Sequence, residues 1–258
     1  MSENTTITQK AGLGASDNTF IGEQNNYGLS VIDATTMAFT MFRQYYPQLR
    51  DEALSELKRM VNEKLSEIPS NQITPPSARI AVPALMNASI TEEADIRELY
   101  ANLLVNSMDS VVKNGVHPGF VEVIKQLSPD EAKILKYIMD SNYILVPTIT
   151  IRFENSNGDG IETEKNFSVI GELLHCERPF DISMYFDNLI RLGLLKASNH
   201  SHIADKSKYE PLKQSKYILE KLNNSSFSKT QYNNPKLIEG YIEITDYGKA
   251  FCSKCLKG

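Results

Sequence analysis

From Asp51 to Ile68 the apolar residues Ala53, Leu54, Leu57, Met60, Val61, Leu65 and Ile68 recur with a 3.6-residue period, and charged residues fill the opposite side. That pattern predicts an amphipathic helix. A shorter one is expected before it: Ser30 suits an N-cap with Asp33 in the first turn, and Val31, Ala34, Ala38 and Phe42 share a face that Pro47 interrupts. Pro75, Pro76 and Pro83 make the following stretch, SNQITPPSARIAVP, read as a hinge. The acidic residues Glu92, Glu93 and Asp95 then introduce a third helix with Ile96, Leu99, Tyr100, Leu103, Leu104 and Met108 on a wide apolar face, closed by Gly115.

HPGFVEVIKQL, over 117–127, predicts a turn and a short helix. Ser128-Pro129-Asp130-Glu131 has the order of a capping box, with proline at the first helical position and carboxylates in the first turn. Beyond Asp140 the period shifts to two. ILVPTITIRFE (144–154) reads as a strand and NSNGDG (155–160) as a turn. FSVIGELLHC and RPFDISMYFDNLIRLGLL are helical, the second stopping at Gly193. A polar stretch over 198–235 holds one amphipathic piece, LKQSKYILEKL. YIEITDYGKAFCSKCLKG then gives a strand, a Thr-capped turn and a last helix.

Residues 1–29 differ from all of this. They are polar and turn-forming, with the apolar residues Phe20, Ile21 and Tyr27 isolated among Asn and Gly. Such a leader either stays unpacked or orders against further copies of the chain, so Phe20, Ile21 and Tyr27 are candidate oligomerisation residues and a homo-oligomer is expected. GLGAS at 12–16 lacks the lysine and the preceding strand of a phosphate loop. The fold class is therefore mainly α with a small β component: a polar leader over 1–29, a helical domain over 30–127, and a winged-helix-like α+β domain over 128–258.

Composition excludes several classes. Hydrophobic residues make up 41% and charged residues 23% of the 258 positions, ordinary for a globular protein. No run of apolar residues is long enough to span a bilayer, and MSENTTITQK has no apolar signal core. A cytoplasmic protein without a membrane partner is expected, and three cysteines do not suggest a disulfide framework. The net charge of −5 conceals an asymmetry: residues 196–258 carry eleven Lys, no Arg and six carboxylates. A basic end section can meet phosphates or an acidic partner, although bidentate phosphate and base contacts favour Arg.

A helix near Ser128, two further helices with the last running into an apolar strand, and a returning strand at 242–245 follow the order of a winged helix, whose third helix can enter a major groove. On Asp181–Leu195, however, Ile182, Tyr185, Phe186, Leu189, Ile190 and Leu192 are needed for the core. Asp181, Ser183, Met184, Asp187, Asn188 and Arg191 remain outward, and two aspartates against one arginine repel a phosphate backbone. The segment reads better as scaffold or as a protein-contact element. The candidate contacts for nucleic acid or a protein partner are Asn188, Arg191, Lys206, Lys208, Lys213 and Lys216.

Cys252 and Cys255 form a single CxxC, and His200 and His202 complete a zinc set only if the polar stretch folds back onto it. Packing of a thiol on the terminal helix is the reading a lone pair favours. His117 and His175 have no positioned catalytic partner and read as capping or packing residues. With no hydrolase, nuclease or nucleotide-binding motif, the residues assign no catalytic group and no cofactor. The balance leans against an enzyme.

One resemblance adds to this. The proline-led entry from Pro75, the acidic LYANLL helix, HPGFVEVIKQLSPDEA, DNLIRLGLL and ITDYGKAFCSKC together resemble the bacterial abortive infection alpha family over residues 50–256. The resemblance implies antiphage defence, in which an infected cell is stopped before phage mature, and it carries over no catalytic residues. IGEQNNYGL in the leader is similar to N-terminal segments of various bacterial conflict proteins. The expected role is a non-enzymatic protein that senses or binds a phage or host protein. The alternative is a nucleic-acid-binding regulator that uses the C-terminal winged helix.

Overall fold

The computed structural model describes residues 51–142, 144–223, 227 and 230–257, with residues 40 and 44 in addition. The leader, its candidates Phe20, Ile21 and Tyr27, and the helix expected from Ser30 lie outside the described residues. The described chain is mainly helical with a small antiparallel sheet late in the sequence.

α1 (Asp51–Leu65) and α2 (Ala78–Ile90) pack against α3 (Ala94–Met108), which is buried on nearly every side. The side chain of Arg97, buried among them, ion-pairs with Glu56 and donates from Nη2 to the Thr91 carbonyl at 2.6 Å, so the charge is brought in with partners. Two expectations need correction. Pro83 lies inside α2 rather than in a hinge. The hydrogen bond it forfeits falls on the carbonyl of exposed Arg79, where water can satisfy it. α3 ends at Met108, not Gly115; the intervening chain turns back so that the Thr74 N–H donates to the Met108 carbonyl at 2.7 Å.

α4 (Phe120–Lys125) leads into α5 (Pro129–Asp140), whose start follows the expected chemistry. Ser128 Oγ accepts from the Glu131 N–H at 3.3 Å, and Glu131 Oε2 accepts from the Ser128 N–H at 2.7 Å. β1 (Val146–Glu154) and β2 (Gly160–Phe167) form a hairpin. α6 (Ile170–Leu173), a 3-10 turn at Pro179–Asp181 and α7 (Ile182–Arg191) follow. Gly193, at φ 74°, ends α7: its N–H and that of Leu194 bond back to the carbonyls of Ile190 and Leu189. A side chain there would strain the backbone.

β3 (Leu195–Ser198) is followed by the short helices α8 (Glu210–Lys213) and α9 (Lys216–Asn223), then β4 (Asn234–Ile244). The sheet order is β2-β1-β4-β3, antiparallel throughout, with β4 against β1 from Val146↔Ile242 to Glu154↔Asn234. The sheet's helix-facing side joins a contiguous core that runs from Leu54 to Cys255. Its other side buries Ile149 under Ile203, Tyr209 and Leu212. Thr245 caps α10 (Asp246–Phe251), and a π-helical turn at Cys252–Leu256 packs on α3. There the side-chain amides of Asn102 and Asn106 donate to the carbonyls of Cys255 (2.8 Å) and Lys254 (3.0 Å).

The start of α5 is also where that helix is tied to the chain after α6 and to α7. Asp130 is buried, and its carboxylate accepts from Lys133 Nζ (2.9 Å), the Tyr185 hydroxyl (2.9 Å) and the Glu177 N–H (2.8 Å). Burial alone would raise its pKa, but these three donors together hold the carboxyl below its ordinary 3.8. Asp130 therefore contributes stability above that value, and the contribution is lost as pH falls through the folded pKa. Replacement D130N should cost about 1 to 3 kcal/mol at neutral pH. It should also flatten the decline of unfolding free energy between about pH 5 and pH 3, followed by urea denaturation. A decline as steep as in the unmodified protein counts against the network.

Candidate functional site

The outward face of α7 is as expected: Met184, Asp187 and Arg191 are exposed, and Ile182, Tyr185, Phe186 and Leu189 are buried. Asn188 and Arg191, however, are turned to internal use. Asn188 Nδ2 donates to Glu131 Oε1 (2.8 Å) and to the Gln126 carbonyl (3.0 Å), while Arg191 donates to Asn188 Oδ1 at 2.6 Å. Both residues extend the polar network at the start of α5.

The lysines of the insertion between β3 and β4 are similarly engaged. Lys206 pairs with Glu239 and lies over the Tyr209 ring at 5.7 Å. Lys213 reaches Glu210 at 3.0 Å and Glu239 at 3.1 Å, and Lys216 reaches Glu220 at 3.7 Å. Lys208 is exposed and close enough to Asp205 to lower that carboxyl's pKa, after the stronger effect of hydrogen bonds from Ser207. Lys206 and Lys213 thus converge on Glu239, while Lys208 and Lys216 remain at the surface. Tyr209 fixes this segment to the sheet: its hydroxyl donates to the Gly240 carbonyl (2.9 Å) and accepts from the Ile203 N–H (2.8 Å).

Cys252 and Cys255 are fully buried as free thiols, whereas His200 and His202 are exposed in the segment after β3. No group of three or more His, Cys, Asp or Glu suited to a metal ion occurs among the described residues. Burial pushes the Cys252 thiol up to about 12, and that of Cys255 rises well above its ordinary value for the same reason. Neither forms a thiolate near neutral pH. His117 accepts from the Gly119 N–H at 3.0 Å and packs beside Phe120 and Tyr247, a turn-forming role.

The surface that does stand out is aromatic. Phe167, Tyr217 and Phe180 form a stack, with ring centroids 5.0 and 5.2 Å apart and interplanar angles of 15° and 3°. Phe167 is buried, Tyr217 is half-buried and Phe180 is 43% exposed. Tyr217 donates to Glu164 at 2.9 Å with Lys221 over its ring, so the middle of the stack is held in place. Exposed Leu173 on α6 and Met184 on α7 lie on segments in contact with the Phe180 turn. Gly171 permits that contact, because a Cβ there would lie 2.4 Å from the Pro179 carbonyl oxygen. This surface has no local signature, because its rings come from β2, the 3-10 turn and the insertion.

Comparison with known proteins identifies the family. The description "Abortive infection alpha" matches residues 49–255. The chain belongs to the abortive infection alpha family. Membership implies a role in abortive infection, a form of phage defence. No curated protein matches the chain. A solved structure of an uncharacterized protein from the hydrocarbon-degrading marine bacterium Alcanivorax borkumensis SK2 aligns with 58% of this family member and 99% of that chain. The identity is 15% and the TM-score 0.39, a likeness too distant to carry an argument. Among the described residues no helix is long and apolar enough to cross a membrane.

The buried thiols generate one expectation. In the folded protein Cys252 and Cys255 should remain unmodified by iodoacetamide at about pH 8 and become fully alkylated in denaturant, read by mass spectrometry. Rapid labelling of either in the native state would show that the turn is open.

Proposed function

We propose that this abortive infection protein acts as a non-enzymatic sensing or binding protein whose working surface is the apolar face around Phe180. The observation that supports this reading is a half-exposed ring, clamped in a stack, with Leu173 and Met184 exposed on adjoining segments. A pre-ordered aromatic loses little conformational freedom on binding, and such anchors carry much of the energy of protein interfaces. The partner in this reading is a phage or host protein, and α7 contributes the Met184 side of the contact rather than reading bases. Residues 128–258 act as a winged-helix-like module: α5, α6 and α7 supply the helices, and β1, β4 and β3 supply the strands, with β2 added at the edge. Nucleic-acid binding is the second reading. It draws on Lys208 and Lys216, while the Glu239 pairings of Lys206 and Lys213 weigh against it.

The test is protection against phage. The double variant F180D/M184D should weaken partner binding about tenfold or more, the factor that a loss of roughly 1.4 kcal/mol implies, and cells producing it should lose protection in a plaque assay. The purified variant should keep its helical circular dichroism. Full protection from a correctly folded variant would remove this surface from the function. Self-association is a separate part of the proposal, carried by the apolar Phe20, Ile21 and Tyr27 of the leader. Light scattering of a chain lacking residues 1–28 should report a smaller assembly than the full chain, and an unchanged protomer number would refute that role.

A further inference from the structure

The 3-10 turn at Pro179–Asp181 runs directly into α7, so Phe180, Met184 and Asp187 follow one another along a single helical stripe. All three are exposed. α6 packs against the same turn and adds exposed Glu172 and Leu173. Glu177, also exposed, stands just before the turn. The apolar groups Phe180, Met184 and Leu173 therefore each have a carboxylate close by in the chain. For Met184 and Asp187, at i and i+3 of a helix, the Cβ atoms are about 5 to 6 Å apart.

The cations of this region are already neutralised, whereas those three carboxylates are not. Arg178 pairs with Asp181, Lys165 with Glu162 at 3.4 Å, Lys221 with Glu164 at 2.6 Å and Lys216 with Glu220 at 3.7 Å. Glu172, Glu177 and Asp187 form no ion pair among the described residues. On β2, α6, the 3-10 turn, α7 and α9, the one Lys or Arg outside an ion pair is Arg191, at the far end of α7 and turned onto Asn188 Oδ1. The face thus keeps three unpaired negative charges against one positive. A partner that covers the apolar groups also draws these carboxylates out of water, at a cost unless it brings cations to them.

On the reading that the Phe180 face is the working surface, we propose that its partner presents a basic amphipathic protein segment. An apolar side chain of that segment sits on Phe180, Leu173 and Met184, and its lysines or arginines lie opposite Glu172, Glu177 and Asp187. A cation placed over the Phe180 ring gains further from the ring's negative face. The same carboxylates repel phosphate, so neither a nucleic acid nor an anionic lipid surface fits here. Charges at the edge of an apolar contact act mainly by steering the encounter, which makes association salt-sensitive.

Fluorescence anisotropy of the full chain with a labelled amphipathic peptide of leucine and lysine, and with its leucine and glutamate counterpart, tests the assignment. The lysine peptide should bind saturably and the glutamate peptide should not. Binding should weaken as ionic strength rises from about 0.01 M to about 0.15 M, which shortens the screening length from about 30 to about 8 Å. The charge-reversed E172K/E177K/D187K and the uncharged F180A/M184A should each lower affinity about tenfold or more, and E172Q/E177Q/D187N should fall between E172K/E177K/D187K and the unmodified chain. Equal binding of the two peptides, binding of neither, or unchanged binding by a correctly folded E172K/E177K/D187K overturns the assignment. A plaque assay separates it from the reading beneath it. Protection lost with F180D/M184D but kept with E172K/E177K/D187K removes the basic partner and leaves the surface, whereas protection kept with both removes the surface itself.

Discussion

The described structure depends on how one buried carboxylate is accommodated. A charge such as that of Asp130 is stable in the interior only if donors surround it, and removing a partner from a buried charge costs several kcal/mol. Three donors meet it from separate parts of the chain: Lys133 one turn along α5, the Glu177 N–H after α6, and Tyr185 on α7. Burial first, and then the hydrogen bond to Asp130, pushes the Tyr185 hydroxyl up to about 12, so it remains a donor throughout the physiological range. Next to it Glu131 closes the capping box and accepts from Asn188. These contacts fix where α7 crosses α5, and the position of α7 sets that of the Phe180 turn immediately before it.

What was legible in the sequence follows from this. Ser128, Gly193 and Thr245 were readable because a cap or a stop is written within a few neighbouring residues. Each holds the position expected of it, Ser128 with the full reciprocal pair of hydrogen bonds. Pro83 misled because its cost depends on whether water reaches one carbonyl, which local spacing does not encode. Gly115 misled because α3 is stopped by the returning chain near Thr74, thirty-four residues earlier.

The candidate sites were harder to read for the same reason. Eleven lysines after residue 195 suggested a basic surface, but Glu239 draws two of them together from a strand distant in sequence. The Phe167, Tyr217 and Phe180 rings, and the contact of Asn102 with a carbonyl 153 residues away, have no local signature at all. The CxxC pair was ambiguous in sequence because spacing does not reveal burial, and burial is what makes both thiols packing groups. In this member of the abortive infection alpha family, then, both thiols of the CxxC pair serve the interior, while Lys206 and Lys213 are paired with Glu239 at the surface.

The pairing of β3 with β4 carries a consequence for folding and for variation. The two strands are neighbours in the sheet, yet the chain leaves β3 at Ser198 and returns only at Asn234. β1 and β2, joined by a tight turn, can zip early, whereas β4, the strand that unites β1 with β3, must await the closing of a long loop. Once a loop is that long, doubling it adds only about 0.6 kcal/mol of closure entropy. The connection can therefore lengthen at its exposed stretches while the four strands keep their register, which makes it the natural place for such proteins to gain new sequence without disturbing their interior.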